Sequence, residues 1–458
     1  MQQILWFLVT LGVLIPVHEY GHYRVAVACN VKVLRFSIGF GRVLWSRRFG
    51  KDGTEFVLSM LPLGGYVRML DERELPVEDA ERHRAFNRRP LWQRAAVVAA
   101  GPVANLLLAI ALYAFVQWHG HEEPAPVSGS PVIGSLLDEA GLRAGDRILA
   151  TAEGEGADEA DWQAVRSFDD ALDAFGRAVT DREPLRLRVQ AAGTTGTRTL
   201  QVATDTLDAG DAGAAVWRRL GFGAPYAMAR VAEVMPSTAA EAAGLRRGDL
   251  VVQVDGRAVA DAQALREQIL ASVRDGAPRS MQWTLRRADG ELTLPVTARF
   301  VTDNGEKVAR VGVAFEAAER VDVRTGPLEA LQLGALQTWR QSVGSLRLFG
   351  RMAVGQASLK NLSGPGTIAE VASSSARQGL APFLMFLAMV SVGLGVLNLL
   401  PIPMLDGGTL LYYLFEGATG RPVSDLWQVW LQRGGAVILL LLMSIALSND
   451  VARHLGLQ

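Results

Sequence analysis

The chain is poor in cysteine, in histidine and in net charge, and each shortage excludes something. Cys29 is the one cysteine in 458 residues, so no internal disulfide can form and no cysteine-built metal cluster is available. The thiol reads as a small apolar filler. Lysine plus arginine (46) nearly balance aspartate plus glutamate (47), and no basic tail is present, so there is no broad positive field for a nucleic-acid backbone. Nucleic acid is therefore set aside as a partner. Histidine occurs six times, which makes any ordered pair of histidines informative. What is plentiful is apolar: 49% of residues are hydrophobic and the mean hydropathy is +0.17, high for a wholly soluble protein and concentrated in a few blocks.

A bilayer core asks for about 20 mostly apolar residues of helix. Four segments qualify, running from Ile4 to Ala28, Ala95 to Trp118, Pro382 to Leu400 and Val429 to Leu447. The first lacks a basic leader and an A-x-A cleavage site and carries charges in its second half, so it reads as a retained helix, not a removable signal. Arginine and lysine crowd the connection between the first two spans (Lys32, Arg42, Arg47, Arg48, Arg88 and Arg94 among them). This places that connection in the cytoplasm, with the long middle region on the other side. A short cytoplasmic stretch, Asp406 to Asp425, is expected between the third and fourth spans.

Between the first two spans, β-branched and aromatic stretches punctuated by glycine predict short hairpins. The run from Phe56 to Tyr66 is too apolar for an exposed loop. It reads as a self-paired sheet dipping into the membrane and offering an edge strand. In the middle region, Ala140-Gly-Leu-Arg-Ala-Gly-Asp-Arg-Ile148 repeats as Ala243-Gly-Leu-Arg-Arg-Gly-Asp-Leu-Val251, which implies two copies of one compact domain. The shared pattern resembles the loop-and-strand signature of PDZ domains. Leu220-Gly221-Phe222 resembles their carboxylate-binding loop and is assigned to the second copy; the first copy shows no matching glycine loop. The resemblance implies that a peptide terminus adds as a strand in each groove, whereas a bare bracing role is the alternative. Leu328 to Val354 has helical apolar spacing with interspersed arginines, as a surface-lying amphipathic helix or a buried soluble one would. A polar glycine-rich stretch, Asn361 to Gly366, leads into the third span.

The strongest chemical signal is His18-Glu19-Tyr20-Gly21-His22. Histidines at i and i+4 share one helix face and can present two imidazoles to one metal, with Glu19 placed as a general base for a metal-activated water. Ionisable groups within a span are costly and mark function. Asp406 is the candidate third ligand, in Asn398-Leu-Leu-Pro-Ile-Pro-Met-Leu-Asp-Gly-Gly408, where two prolines break the helix. A loop-capping aspartate is the plainer reading. Asn398 is a candidate for holding substrate backbone or the developing oxyanion. His119 and His121 read as a solvated juxtamembrane pair. Gly101, Pro102 and Asn105 read as helix-packing residues, with Asn105 bonding across helices. Gly393-Leu-Gly395 lacks the strand context of a nucleotide site.

These motifs together resemble the site-2 protease family of intramembrane zinc metalloproteases, over nearly the whole chain: H-E-x-G-H, Leu61-Pro-Leu-Gly-Gly-Tyr-Val-Arg-Met69, Gly101-Pro-Val-Ala-Asn105, the tandem PDZ-like repeat and N-x-x-P-x-P-x-L-D-G. The resemblance implies Zn2+ held by His18, His22 and Asp406, Glu19 as base and Asn398 at the substrate. It also implies substrate contacts at Gly64, Gly65 and Tyr66 of the hairpin and at Leu220, Gly221 and Phe222. Implied partners are single-span membrane proteins, such as a pre-trimmed anti-sigma factor or signal-peptide remnants, together with peptide termini at the PDZ-like domains and membrane lipid. The implied location is a bacterial inner membrane, with the PDZ-like pair periplasmic and acting as a substrate filter. A membrane-anchored surface protease and a catalytically silent scaffold are the competing functions.

The expected fold is thus a polytopic α-helical membrane protein of four transmembrane helices, a membrane-associated β-hairpin sheet and two α+β PDZ-like domains. The expected segments are 1–30 (first span), 31–90 (hairpin region), 91–121 (second span), 122–212 and 213–318 (PDZ-like domains), 319–380 (amphipathic helix and linker), 381–408 (third span) and 427–448 (fourth span).

Overall fold

The computed structural model describes residues 2–74, 76–154, 159–207, 214–274, 276–303, 306–354 and 364–454. The chain forms two compact units, one of residues 1–120 and 324–457, the other of residues 121–323. Among the described residues of the first unit, four helices are long and apolar enough to cross a membrane: Gln2–Ala28, Leu91–His119, Leu380–Leu399 and Leu426–Val451. They match the four apolar segments, because a run of about 20 apolar residues can satisfy its backbone in lipid only as a helix.

Small residues let these helices approach. A Cβ on Gly21 of the first span would stand 2.3 Å from the carbonyl oxygen of Ala100 in the second, so the two backbones touch there. Ala109 and Tyr113 of the second span and Ala388, Val392 and Val396 of the third form one buried cluster. The helix Pro327–Ala353 lies along the second span through Gly334, which faces the Ile110 carbonyl, and exposes Leu328, Leu331 and Trp339.

Two stretches depart from the expected segments. The third span ends at Leu399, next to the expected end of its apolar run at Leu400, and a separate helix, Asp406–Thr419, begins after the proline loop, where the expected segment ran on to 408 with a plain connection beyond. The supposed linker before the third span contains the helix Pro365–Gln378. Its opening amides and the Thr367 hydroxyl donate to Asp450 of the fourth span, the Gly366 N–H at 2.8 Å. A cap supplied from 84 residues away leaves no local sequence signal. Residues 361–363 of the glycine-rich stretch lie outside the described residues.

The strands Val33–Phe49 and Thr54–Met69 form the hairpin region. Each bends, so residues 55–58 pair both with 45–48 and with 35–38, while 35–38 pair on their other side with 65–68. The apolar run beginning at Phe56 is therefore internal at its start, and the free edge beside the helices is Gly65–Met69. Gly39 and Gly41 hold φ of 88° and 86° where the first strand bends, a conformation that glycine adopts without strain.

In the second unit the repeat appears as two sheets of the same order and antiparallel sense. The first runs Gln163–Ala164, Arg147–Glu153, Leu185–Gln190, Thr197–Val202; the second runs Arg257–Ala258, Leu250–Val254, Ser280–Arg287, Gly290–Thr297. Asp146 and Asp249 of the repeated Gly-Asp are buried, and each takes an arginine at 2.6 Å, Arg198 and Arg287. Burial pushes the Asp249 carboxyl up, but hydrogen bonds from Arg287 and the Arg246 N–H outweigh it and hold the group below its ordinary range. A carboxyl depressed in the folded state stabilises above its unfolded pKa of about 3.9 and loses that contribution as pH falls through the folded value. Asp249→Asn should therefore lose about 3 kcal/mol at neutral pH, as expected for a broken buried pair. Its deficit against native protein should shrink below about pH 4, as read by thermal melting of the second unit. A deficit independent of pH would contradict the assignment.

The division between the copies differs from the expected 212/213 boundary. Val216 and Leu220 lie in the core of the first copy and Phe222 packs on it, its ring 4.8 and 4.7 Å from those of Phe168 and Phe175. The core of the second copy starts at Ala229. Leu220-Gly221-Phe222 thus closes the first copy and does not open the second. The reason is burial: three apolar side chains fill the first core, a preference that proximity in sequence to the second Gly-Asp does not reveal.

Candidate metal centre

His18 and His22 stand one turn apart on the first span, their ring centroids 4.8 Å apart and their Nε2 atoms 3.2 Å apart. Space for them is made by Gly101 in the second span: a Cβ there would lie 2.3 Å from His22 Nε2 and 2.8 Å from His18 Cε1. The next residue, Pro102, has no amide hydrogen and disturbs the helix ladder beside the histidines. The Val97 carbonyl on the preceding turn accepts from His22 Nδ1 at 2.8 Å. A carbonyl can only accept, so His22 carries its proton on Nδ1 and turns the Nε2 lone pair inward.

Asp406 reaches the histidines because of the proline loop. After Leu399 the chain turns through Pro401 and Pro403, with Met404 at φ 89°, and restarts as a helix at Asp406. Gly407 and Gly408 allow the loop to curl onto that first turn; Cβ atoms there would lie 2.2 Å from the Leu400 carbonyl and 2.4 Å from that of Ile402. Gly435 of the fourth span backs Pro403 in the same way, at 2.2 Å from its carbonyl oxygen. At a helix start a carboxylate is also favoured by the helix dipole. Farther along the helix, Glu416 accepts from Arg94 at 2.5 and 3.2 Å, tying it to the start of the second span.

The Asp406 Oδ2 ends 3.2 Å from His18 Nε2 and 3.5 Å from His22 Nε2, buried and with no other hydrogen-bond partner among the described residues. A carboxylate oxygen facing the inward lone pair of His22 is repulsive unless a cation lies between them, so this donor set fits a metal. Its atoms all lie within 4.8 Å of one another, and two imidazoles with one carboxylate suit zinc.

The centre opens into a cavity of about 680 Å³ lined by Glu19, Gly65, Tyr66, Asn398, Met404 and Leu405, among others, beside the three donors. Glu19 is on the histidine helix but is not part of the donor cluster. Asn398 is in the last turn of the third span and half-buried. Gly65 packs on Glu19, while Gly64 sits under the Phe40 ring and Tyr66 stacks on that ring and accepts from Arg35 at 3.5 Å.

Other expected residues lie elsewhere. Leu220, Gly221 and Phe222 are in the second unit. His119 is exposed and stacked on Phe115, but His121 is buried and paired with Glu123 at 2.6 Å, so the two do not form a solvated pair. Two features were not expected from the sequence: Gly101's place against the imidazoles, and Arg310-Val311-Gly312-Val313, the structural counterpart of Arg219-Leu-Gly-Phe222. Gly221 (φ 81°) and Gly312 (φ 87°) each accept through their carbonyls, from the N–H of Val132 and of Met235, and they rest on Ser135 and Thr238. The recurrence of Arg-Leu/Val-Gly-Phe/Val was the available signal.

Two imidazoles and a carboxylate beside an unligated glutamate are the equipment of a metallopeptidase, and here they are set among helices long enough to cross a bilayer, which defines a membrane metalloprotease. The chain belongs to peptidase family M50, whose model matches residues 6–442. It is 38% identical to the Escherichia coli regulator of sigma-E protease RseP over 99% of this chain and 100% of that one. It is 42% identical, over 99% of both chains, to a Ralstonia nicotianae protein provisionally named a zinc metalloprotease. Protease RseP of Yersinia pestis is 37% identical over 99% of this chain and 100% of its own. The protein is a zinc metalloprotease.

Proposed function

We propose that this metalloprotease cuts peptide bonds within the transmembrane segments of single-span proteins that have already been trimmed, an anti-sigma factor or a signal-peptide remnant being the kind of substrate meant. The observation that carries the reading is that the cavity at the donor set is walled by an unpaired strand edge, Gly65–Met69. A transmembrane helix hides its peptide bonds in internal hydrogen bonds, so it must unwind before cleavage. Adding to that edge as a strand would satisfy the unwound backbone and carry it past Glu19.

In this reading His18, His22 and Asp406 hold the zinc. Bound there, zinc supplies Lewis acidity, enough to bring the pKa of a water to about 7. Glu19 takes the proton of the attacking water and returns it to the leaving amine. Asn398 donates its amide to substrate backbone or to the oxyanion. The arginine-rich connection faces the cytoplasm and the second unit the periplasm of a bacterial inner membrane. There the two repeat copies are PDZ-like domains that admit trimmed substrates, with Leu220–Phe222 and Arg310–Val313 as the loops that hold peptide termini.

The test uses detergent-purified protein and a single-span substrate with or without a bulky external domain. Native protein should cleave within the span of the trimmed substrate only. Glu19→Gln should keep zinc and lose activity by about 10²- to 10⁴-fold, as removal of a general base does. Chelation should abolish cleavage, and added zinc should restore it. Cleavage confined to juxtamembrane or soluble sites would replace this reading with that of a surface protease.

A further inference from the structure

Resting on the zinc ligation proposed above, we infer that Asn105 is a positioning residue that sets the tautomer of His18 by accepting from its Nδ1–H. The two imidazoles need the same arrangement: a proton on Nδ1 and a lone pair on Nε2, where both rings face Asp406. For His22 the Val97 carbonyl enforces this at 2.8 Å. For His18, the hydrogen-bond partner at Nδ1 is the Asn105 amide, at 3.3 Å.

As placed, Asn105 Nδ2 faces the ring and Oδ1 is buried with no partner among the described residues. The Asn105 side chain is fully buried, and a buried carbonyl oxygen without a donor costs about 1–3 kcal/mol. A half-turn of the amide exchanges its two nearly isosteric ends. It gives Oδ1 the Nδ1–H of His18 and frees His18 Nε2 for the metal, while Nδ2 takes the position that Oδ1 held. Other features keep Asn105 in place: its backbone carbonyl accepts from Ser391 of the third span at 2.8 Å, itself fully buried. Asn105 is one turn beyond Gly101, on the face of the second span that meets the histidine helix. This places a tautomer-fixing acceptor on each imidazole, both from the second span, as metal-bound histidines generally have.

The test measures zinc affinity of the full-length protein by chelator competition, with zinc release rate as a second readout. Asn105→Leu keeps the shape and removes the acceptor; Asn105→Asp keeps acceptors only. Leucine should weaken zinc binding about 10- to 100-fold and speed release, while aspartate should stay within about threefold of native, since carboxylate–histidine–zinc chains are a common form of the same support. Native affinity in Asn105→Leu would overturn the inference. So would equal loss in both variants, which would mark Asn105 as a packing residue or as a donor. Should the leucine variant not fold, Asn105→Asp decides alone: native affinity supports the acceptor role and its loss overturns it. If His18→Ala leaves zinc affinity native, the underlying ligand assignment has failed, a result distinct from failure of the Asn105 role.

Discussion

Gly101→Ala is expected to strip zinc from the protein. The added methyl would stand 2.3 Å from His22 Nε2 and 2.8 Å from His18 Cε1, where carbon atoms in contact keep about 3.5–4.0 Å. The rings must therefore move by about 1 Å or more, while metal–ligand distances tolerate about 0.2 Å. Neither ring can swing aside freely, because His22 is bonded to Val97 and His18 lies against Asn105. The second span cannot retreat easily either, since its Ala109 and Tyr113 are packed against Ala388, Val392 and Val396 of the third. Zinc affinity should fall by at least about 100-fold, the upper end of what disturbing a supporting residue does, and cleavage at trace zinc should fall with it. Metal content after dialysis against a chelating resin is the measurement. Stoichiometric zinc with native turnover would show that the site does not depend on that gap.

Gly65→Ala separates catalysis from metal binding. Its methyl would lie 2.8 Å from Glu19 Cγ, 2.9 Å from the Ser37 carbonyl oxygen and 3.2 Å from Ile15 Cγ2. The strand cannot shift to relieve this, since Gly65 pairs with Ile38 and Tyr66 with Ser37. Of these neighbours the Glu19 side chain is the flexible one in closest contact, so it is displaced first. Misplacing a catalytic group by about 1 Å costs about 10²-fold in rate, so kcat should fall by about that factor with zinc retained and KM altered less. Loss of zinc in Gly65→Ala would mean that the edge strand supports the metal-binding residues, and unchanged kcat would show that the strand does not position Glu19.

The parts of the site that lie within one helix were legible without coordinates. His18 and His22 follow from a spacing of four, and the spans follow from length and hydropathy, because helical periodicity is a local property. Asn398 and Asp406 were legible as a motif, and Asn105 as a residue that would bond across helices, but its partner was not. Gly65 and Tyr66 were found on the cavity wall, yet the free edge proved to be Gly65–Met69, because which side of a folded-over strand stays unpaired depends on its register. Leu220, Gly221 and Phe222 were seen as a motif and placed in the wrong copy, because a core takes apolar side chains from wherever the chain returns.

The sequence by itself determined four apolar helices, two histidines on one helix face, a repeated segment and the residue types of the candidate donors, all of which depend on residue type and short spacing. Only the tertiary structure decided what brings Asp406 to the histidines, namely a proline loop curled over Gly407 and Gly408. It likewise decided that Gly101 leaves room for the imidazoles, that Asp450 caps a helix far from it in sequence, and that Val97 and Asn105 stand at the two Nδ1 atoms. Those are contacts between groups distant along the chain, made at separations of about 3 Å where a single methyl decides the outcome. No pattern of spacing within one segment encodes such a distance.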